Sequence, residues 1–168
     1  MVFSSLLFVF LFLALNLVCY YSVKTIRQKN IVLLVFSLIF YAWGGAAYLL
    51  LLAGMAFWSW LCALMIEKKQ NKKSGLILMW ISVAVSLSFL LIFKYADFLI
   101  ENVNQLPGVS LPLFKLSLPI GISFYTFQII SYTVDVWRGD TKAQRNIISF
   151  GTYVSLFPQL IAGPIVGY

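Results

Sequence analysis

The sequence contains few side chains that could carry acid–base, nucleophilic or metal chemistry. Its 168 residues include no histidine, two cysteines and five acidic residues. Without histidine, these residues cannot form a histidine metal site, a histidine-based triad or an imidazole proton shuttle. Cys19 and Cys62 lie inside apolar segments, where two lone thiols predict neither a disulfide nor a metal site. The remaining candidates are polar side chains placed among apolar ones.

One set of polar residues recurs at helical spacing in PIGISFYTFQIISYTVDVWRGD, residues 119–140. Alternating steps of four and three residues place on one helical face Gly121, Tyr125, Gln128, Tyr132 and Asp135, with Ser131 beside them. Polar groups in hydrocarbon need partners, so this face is predicted to point into the protein or a water-filled cavity. Tyr125, Gln128 and Ser131 are therefore candidate linings of an internal path. Helix packing, with these side chains as interhelical hydrogen-bond partners, is an equal alternative.

A second set of residues interrupts the apolar segment FGTYVSLFPQLIAGPIVGY, residues 150–168. Pro158 and Pro164 provide no backbone N–H and clash with the carbonyl four residues earlier, so a broken helix is predicted. Freed carbonyls are tolerated in a membrane only where protein or a cavity covers them, and broken helices recur in ligand pathways. Gln159 is therefore the fourth candidate lining of the path. The residues predicted to shape the path are Pro158, Gly163 and Pro164, and packing again explains them equally well.

The composition places these helices in a membrane. Hydrophobic residues make up 62% of the chain, aromatic residues 17% and charged residues 10%. A water-soluble domain of this size could not cover so much apolar surface with so few charges. The sequence therefore predicts an all-α fold, a polytopic transmembrane helical bundle surrounded by the lipid bilayer. The net charge of +7 is grouped in clusters between apolar runs, which favours cytoplasmic anchoring over nucleic-acid binding.

About six spans or part-spans account for the apolar runs. They are predicted at 5–23, 31–43, 46–66, 76–100 and 120–137, followed by the broken segment from 147. The pair Gly44-Gly45 divides an apolar stretch that is too long for one crossing, because glycine suits a tight turn and weakens a helix. A helix over 31–43 would cover only ~20 Å, which predicts a thinned bilayer or a position inside protein.

Basic residues predict the orientation of these spans. The loops at 24–30, 67–75 and 138–146 are each net positive, and they alternate with the glycine turn and a near-neutral loop at 101–118. Lysine and arginine are enriched in cytoplasmic loops. The three basic loops are therefore predicted to be cytoplasmic and the N-terminus external.

Two local groups of charges are predicted to form ion pairs near the ends of spans. Asp135 is three residues from Arg138, a spacing that favours a local ion pair over a proton relay. Lys94, Asp97 and Glu101 share a helical face. They are predicted to form a salt-bridged interfacial surface from which Lys94 extends to the headgroups.

Several blocks of the sequence resemble the membrane-bound O-acyltransferase family. The blocks are MVFSS at 1–5, FYAWG at 40–44, FKYADF at 93–98, LPIGISFYTFQIISYTVDVWRGDT at 118–141 and FPQLIAGPIV at 157–166. They are most similar to the bacterial polysaccharide O-acetyltransferase branch, of the alginate O-acetyltransferase type. The resemblance implies that residues 1–168 form the N-terminal part of one acyltransferase domain in a bacterial cytoplasmic membrane, with no separate soluble domain.

The resemblance also implies an activity. Members of the family take an acyl group from a cytoplasmic thioester donor, acetyl-CoA or an acyl carrier, and bind no tight cofactor. They pass it through a tunnel toward an extracytoplasmic polysaccharide, usually with a separate extracytoplasmic transferase as partner. The family's catalytic residue is an intramembrane histidine, expected here beyond Tyr168, so this chain alone is expected to be inactive. Gly167 departs from the family pattern, which usually has an arginine there.

Two other functions compete with this one. A non-catalytic scaffold or remnant would explain the missing histidine, whereas the intact blocks at 118–141 and 157–166 favour the enzyme family. A solute transporter would also use broken helices and an inward polar face, but no inverted repeat is visible. A downstream reading frame would distinguish the enzyme from the remnant, and solute flux in liposomes would test the transporter.

Overall fold

The described part of the chain folds entirely into helices and their connections. The structure, a computed structural model, describes residues 6–70, 72–106, 110–114 and 118–162, and at positions 161 and 162 it describes the backbone alone. Every regular element within these ranges is helical, which confirms the predicted all-α fold. A helix satisfies its backbone groups within one segment, as the apolar surroundings require.

The helices follow the predicted order. The first described element is a π-helical segment (Phe8–Leu13) that continues directly as α1 (Ala14–Ser22). The helices that follow are α2 (Ile26–Gly44), α3 (Ala46–Lys68), α4 (Lys73–Val103), α5 (Ile122–Arg138), α6 (Ile147–Ser155) and α7 (Phe157–Ala162). Among the described residues, α2, α3 and α4 are long and apolar enough to cross a membrane. Phe8–Ser22 and Ile147–Leu160 are shorter apolar helices. Each predicted span or part-span thus corresponds to a helix.

The N-terminus of α2 differs from the prediction. The Thr25 side chain accepts a hydrogen bond from the Gln28 backbone N–H, and the Gln28 side chain accepts one from the Thr25 N–H. This capping box satisfies two donors that would otherwise lack partners. The 19 residues of α2 therefore extend for about 28 Å from Ile26. The prediction of a helix limited to residues 31–43, and therefore too short to cross an ordinary bilayer, was wrong.

The turn between α2 and α3 is formed by the predicted glycine pair. Gly45 has φ 138° and ψ 130°, a conformation that side-chain-bearing residues rarely adopt. Its N–H is donated to the carbonyl of Ala42, and Tyr48 N–H is donated back to the Gly45 carbonyl. The helix ends and restarts within a single residue, which confirms the predicted break.

The central helix of the bundle is α3, which packs against α2, α4, α5 and α6. Cys62 and Ala63 of α3 are completely buried, and their small size allows neighbouring helices to approach closely. Ser59 of α3 and Thr133 of α5 share a buried hydrogen bond of 3.2 Å. α3 therefore supplies the packing surface on which α5, the helix with the polar face, is positioned.

Two of the basic loops meet at one end of the bundle. Glu67 forms a salt bridge with Arg145 and also accepts a hydrogen bond from the Ala143 backbone N–H at 3.2 Å. Gln70 donates from Nε2 to the carbonyl of Val136 at 3.4 Å. The loops that follow α3 and α5 are thereby held together.

The third basic loop lies at the same end. The Asn30 amide donates to the Ser149 hydroxyl at 3.2 Å, and the Thr152 hydroxyl donates to the Asn30 carbonyl at 3.0 Å. These bonds join the start of α2 to α6, directly after the loop at 138–146. The common location of the three loops, on which the predicted orientation depends, is therefore observed.

The predicted ion pair between Asp135 and Arg138 is not formed. Within the described ranges the only salt bridge joins Glu67 and Arg145. Asp135 Oδ2 instead lies 3.4 Å from the Ser131 hydroxyl, one turn earlier on the same face. A spacing of three residues allows a contact without requiring it, and here Arg138 lines a groove together with Lys72 and Lys73.

The predicted salt bridges at the far end of α4 are also absent from the described residues. Asp97 Oδ1 accepts the Phe114 backbone N–H at 2.8 Å, and Lys94 lies over the Tyr95 ring, 5.4 Å from its centroid. Asp97 therefore holds the following loop rather than pairing with Lys94 or Glu101. An unsatisfied backbone donor outcompetes an exposed ion pair, whose contribution to stability is small.

Candidate functional site

α5 presents its predicted polar face to the interior of the bundle. Tyr125 and Tyr132 are completely buried and Gln128 is 3% exposed, whereas Phe127 on the opposite side is 45% exposed. Ser131 is half-buried at the edge of the face. The inward orientation of the face is therefore confirmed for its central residues.

Tyr132 connects this face to the loop after α5. Its hydroxyl accepts the Gln144 backbone N–H at 2.8 Å, and its ring packs against Phe150 of α6 at 4.7 Å between centroids. The buried hydroxyl is thereby satisfied, as a buried phenol requires. Tyr132 fixes the position of α6 relative to α5.

The helix break lies between α6 and α7, at Leu156, whose ψ of 109° is not helical. In a continuous helix the Phe157 N–H would be donated to the Tyr153 carbonyl. Here the Phe157 N–H is donated to Ser37 Oγ of α2 at 3.3 Å. The Tyr153 carbonyl instead accepts a hydrogen bond from Gln128 Nε2 of α5 at 3.0 Å. The donor and the acceptor of this one missing helical bond are thus each paired with a side chain of a neighbouring helix.

Aromatic contacts hold α7 in place after the break. The Phe157 ring is 2% exposed and packs against rings of the first helix and α2, with centroids 5.6 Å from Phe12, 5.7 Å from Phe40 and 5.9 Å from Phe8. Pro158 follows as the second residue of α7, where a missing N–H costs little. The predicted break is confirmed, one to two residues before the proline.

The start of α5 packs closely against α7. Gly121 has φ 74°, and a Cβ atom there would lie 3.0 Å from the Leu160 carbonyl oxygen. Nearby, the Tyr41 hydroxyl donates to the Ile120 carbonyl, and the Tyr41 and Tyr125 rings meet edge-on at 6.5 Å. The Tyr125 hydroxyl is buried without a hydrogen-bond partner among the described residues. This pair of tyrosines joins α2 to the start of α5.

The bundle has two apolar grooves, one of which lies beside the break. The first has a volume of about 290 Å³, lies between α2, α3 and α6, and includes Gly151 and Ser155 beside the break. The second, of about 390 Å³, lies between α3 and α4 and includes Trp58 and Phe89. Apolar linings of this kind suit hydrocarbon rather than ionic groups.

The chemistry that these side chains can perform is limited to neutral hydrogen bonding. Among the described residues, no group of three or more histidine, cysteine, aspartate or glutamate side chains could hold a metal ion. The polar groups near the break are hydroxyls and one amide, from Ser37, Tyr41, Tyr125 and Gln128. They can hold a broken helix and orient a polar ligand.

The structure brings together part of the predicted set of site residues. Tyr125, Gln128 and Ser131 follow one another at about one turn along α5, and Gln128 bonds to the Tyr153 carbonyl at the break. Gln159 is half-buried in α7 and Pro158 is exposed. Gly163 and Pro164 lie outside the described residues. That these side chains line or shape a path remains a prediction.

Sequence reasoning missed several polar residues of the interior. Ser37 is completely buried and accepts the Phe157 N–H, and Thr126 and Thr133 are completely buried on α5. A signal for Ser37 was present, because it is one of few polar residues within the apolar run of α2. Threonines in an apolar helix carry a weaker signal, since they can bond to their own backbone, as Thr133 does to Ile129.

The chain is similar in sequence to proteins named as O-acetylases and O-acetyltransferases. The chain is 43% identical over 173 residues to the probable alginate O-acetylase AlgI of Pseudomonas putida, and the match covers 100% of the chain and 36% of the relative. It is 43% identical over 176 residues to the protein of the same name from Pseudomonas aeruginosa, 33% of which is covered. It is 28% identical over 194 residues to the peptidoglycan O-acetyltransferase of Helicobacter pylori, 37% of which is covered.

These matches assign the family, although no protein-family model and no solved structure matches the chain. The similarity covers every block on which the resemblance in sequence rests. The chain spans about a third of the length of these relatives, as an N-terminal portion would. It belongs to the membrane-bound O-acyltransferase family, in the branch of the alginate O-acetylases.

Proposed function

We propose that this chain is the N-terminal part of a membrane O-acyltransferase that acetylates an extracytoplasmic polysaccharide. The observation that carries the proposal is the identity of 43% along the whole chain with a probable alginate O-acetylase. A relative named for a different acceptor, peptidoglycan, also matches 99% of the chain. The two named acceptors are both polysaccharides outside the cytoplasm, so polysaccharide O-acetylation is the function that they share.

In this proposal the acyl group moves across the membrane. A cytoplasmic thioester, acetyl-CoA or an acyl carrier, donates it, because a thioester is a good acyl donor. A histidine beyond Tyr168 acts as the base on the acceptor hydroxyl, a role suited to neutral imidazole. A separate extracytoplasmic transferase passes the group to the polysaccharide.

The contribution of residues 1–168 is then structural. The break between α6 and α7, with Gln128 and Ser37 as partners of its backbone, forms part of the wall of the acyl path. Tyr125, Ser131 and Gln159 line that path, and Pro158, Gly163 and Pro164 shape it. A broken helix is tolerated at membrane depth where it faces a cavity or is covered by protein, which supports this placement.

The first test is the intact mass of the native protein in its source membrane, followed by complementation. A species well above 19.1 kDa shows that translation continues past Tyr168. In a strain from which the gene is deleted, the complete reading frame should restore O-acetyl groups on the extracellular polysaccharide, and residues 1–168 alone should not.

Two outcomes would contradict the proposal. Acetylation restored by residues 1–168 would show that the fragment is catalytic. A native mass equal to 19.1 kDa, with acetylation unaffected by the deletion, would instead identify a non-catalytic scaffold or remnant.

A further inference from the structure

A basic groove lies at the end of the bundle where the three basic loops meet. It has a volume of about 450 Å³ and is lined by Lys72, Lys73 and Leu76 at the start of α4 and by Trp137 and Arg138 at the end of α5. Three cationic side chains, an indole and an aliphatic side chain therefore line one groove. This groove is separate from the broken helix and its grooves.

Two glycines make the groove possible. Gly139 ends α5 with φ 87°, and a Cβ atom there would lie 2.5 Å from Gln70 Nε2. A Cβ atom on Gly75 would clash with the Lys69 carbonyl. The loop between α3 and α4 therefore folds tightly on itself and against the end of α5. The close packing brings the lysines of one element to the arginine of the other.

The positive charge of the groove is not neutralised within the described residues. Glu67, in the last turn of α3, is already bonded to Arg145 and to the Ala143 N–H, and Asp140, two residues after Arg138, forms no salt bridge with a described residue. Lys72, Lys73 and Arg138 make no salt bridge to any described residue. Like charges held close together repel one another, so an anion bound between them would be stabilised.

The groove continues into an apolar surface along α4. Leu76, which lines the groove, is 37% exposed, and α4 then exposes Ile77 at 60%, Trp80 at 60% and Ile81 at 45%. The position of Trp137 beside the cations is typical of the membrane–water interface. A ligand that carries an anionic headgroup and hydrocarbon chains would match both parts of this surface. A soluble anion would use only the first part.

We propose that the groove formed by Lys72, Lys73 and Arg138 binds the phosphate headgroup of an anionic phospholipid, with the acyl chains along Leu76 and Trp80. Basic pockets between transmembrane helices bind anionic lipid headgroups in this way. The bound lipid holds the ends of α4 and α5 at the interface. This site does not depend on the acetyltransferase function.

The test is native mass spectrometry of the protein, expressed from its complete reading frame and delipidated in a neutral detergent. Dioleoylphosphatidylglycerol is the anionic probe, and dioleoylphosphatidylcholine is the neutral one. The first should form a one-to-one adduct and the second should bind at least ~10-fold more weakly. In the double variant Lys73→Gln/Arg138→Gln, affinity for the anionic lipid should fall about 10- to 30-fold, because each basic residue near the surface contributes about 1 kcal/mol.

The matched control is Lys24→Gln/Arg27→Gln, which removes the same two residue types from an exposed part of another basic loop. It should change the affinity less than ~3-fold. Circular dichroism verifies that both variants keep their helicity, and Lys73→Arg/Arg138→Lys, which preserves the charge, should retain binding. Equal binding of both lipids to the unaltered protein would overturn the proposal, as would an equal loss in both double variants. Coenzyme A bound in place of the lipid would also overturn it, because the site would then serve a soluble phosphate.

Discussion

At the scale of single residues, the broken helix depends on side chains that replace its missing backbone partners. The Tyr153 carbonyl has lost the N–H that helix geometry would supply, and Gln128 provides a substitute. Because Gln128 is 3% exposed, water cannot replace either partner in the hydrogen bond between its amide and the Tyr153 carbonyl. An unpaired acceptor at this depth retains the full cost of its desolvation.

Replacement of this amide should therefore destabilise the protein. In Gln128→Leu the side chain keeps a similar size but cannot donate to the Tyr153 carbonyl. We expect the free energy of unfolding to fall by about 1–2 kcal/mol, since interhelical hydrogen bonds in membranes reach about that value. Unfolding in mixed micelles by a denaturing detergent, followed by circular dichroism, measures the change.

The control for this variant is Ser131→Ala, one turn away on the same helix. Ser131 is half-buried, and within the described residues its side chain makes one hydrogen bond, a long one of 3.4 Å to Asp135. We expect a change within about 0.5 kcal/mol. If both variants lose the same stability, the bond to the break is not the reason for the effect of Gln128→Leu.

Residue-scale features were predictable to the extent that they follow from periodicity. The spacing of Tyr125, Gln128 and Tyr132 was sufficient to predict a buried face, because hydrocarbon imposes one orientation on polar groups. Their partners were not predictable, because the approach of Ser37 and the Tyr153 carbonyl is set by helix packing. The local ion pairs were wrongly predicted for a similar reason, since competing backbone donors such as that of Phe114 come from loops.

At the scale of elements, α2 and α5 each stabilise the break between α6 and α7 through one hydrogen bond. Ser37 of α2 accepts the Phe157 N–H, and Gln128 of α5 donates to the Tyr153 carbonyl. The two bonds hold adjacent ends of α6 and α7. Loss of either hydrogen bond should allow the junction between α6 and α7 to move. The remaining hydrogen bond should then contribute less to stability.

A double-mutant cycle tests this coupling. Ser37→Ala and Gln128→Leu should each lower the free energy of unfolding, and the double variant should lose less than the sum, by about 0.5 kcal/mol or more. Gln128→Leu combined with Thr25→Ala is the control pair, because Thr25 lies at the N-terminus of α2 and shares no partner with the junction. Additive losses in both pairs would mean that the two bonds act independently.

The capping box at the start of α2 should stabilise the first turn of that helix. Thr25→Ala removes the acceptor of the Gln28 N–H and the bond between the two side chains. We expect a loss of about 1 kcal/mol and faster amide exchange in the first turn of α2, which exchange measured by mass spectrometry would detect. Lys24→Ala, one residue earlier, should leave both quantities unchanged. Equal effects of the two substitutions would show that the cap does not define the end of the helix.

The elements themselves were largely predictable, because each apolar run became a helix and Gly45 divided α2 from α3. The errors lie at helix ends. α2 begins at Ile26 within the basic segment, since arginine, lysine and glutamine are good helix formers once Thr25 supplies a cap. The break falls at Leu156 rather than at Pro158, because tertiary partners from α2 and α5 fix its position.

At the scale of the whole molecule, the arrangement of loops gives physical support to the predicted orientation. Three contacts hold the basic loops together at one end: Glu67 with Arg145, Gln70 with the Val136 carbonyl, and Asn30 with α6. The Gly45 turn and the carbonyl of Ile120 lie together at the other end, joined by Tyr41. Charge asymmetry between the two ends determines which of them remains in the cytoplasm.

Cysteine labelling in intact cells tests this orientation. Lys69→Cys and Lys142→Cys place an exposed thiol in two of the basic loops, and Gln105→Cys places one after α4, at the opposite end. A membrane-impermeant maleimide should label Gln105→Cys in intact cells, whereas the other two should react only after the cells are opened, because a basic end is retained in the cytoplasm. The parent protein is the blank, since Cys62 is completely buried and Cys19 lies within an apolar helix. Labelling of both basic-loop variants in intact cells would show that the basic loops lie outside the cell, which is the opposite of the predicted orientation. A difference between Lys69→Cys and Lys142→Cys would contradict the bundle itself, because the salt bridge of Glu67 with Arg145 requires both loops on one side.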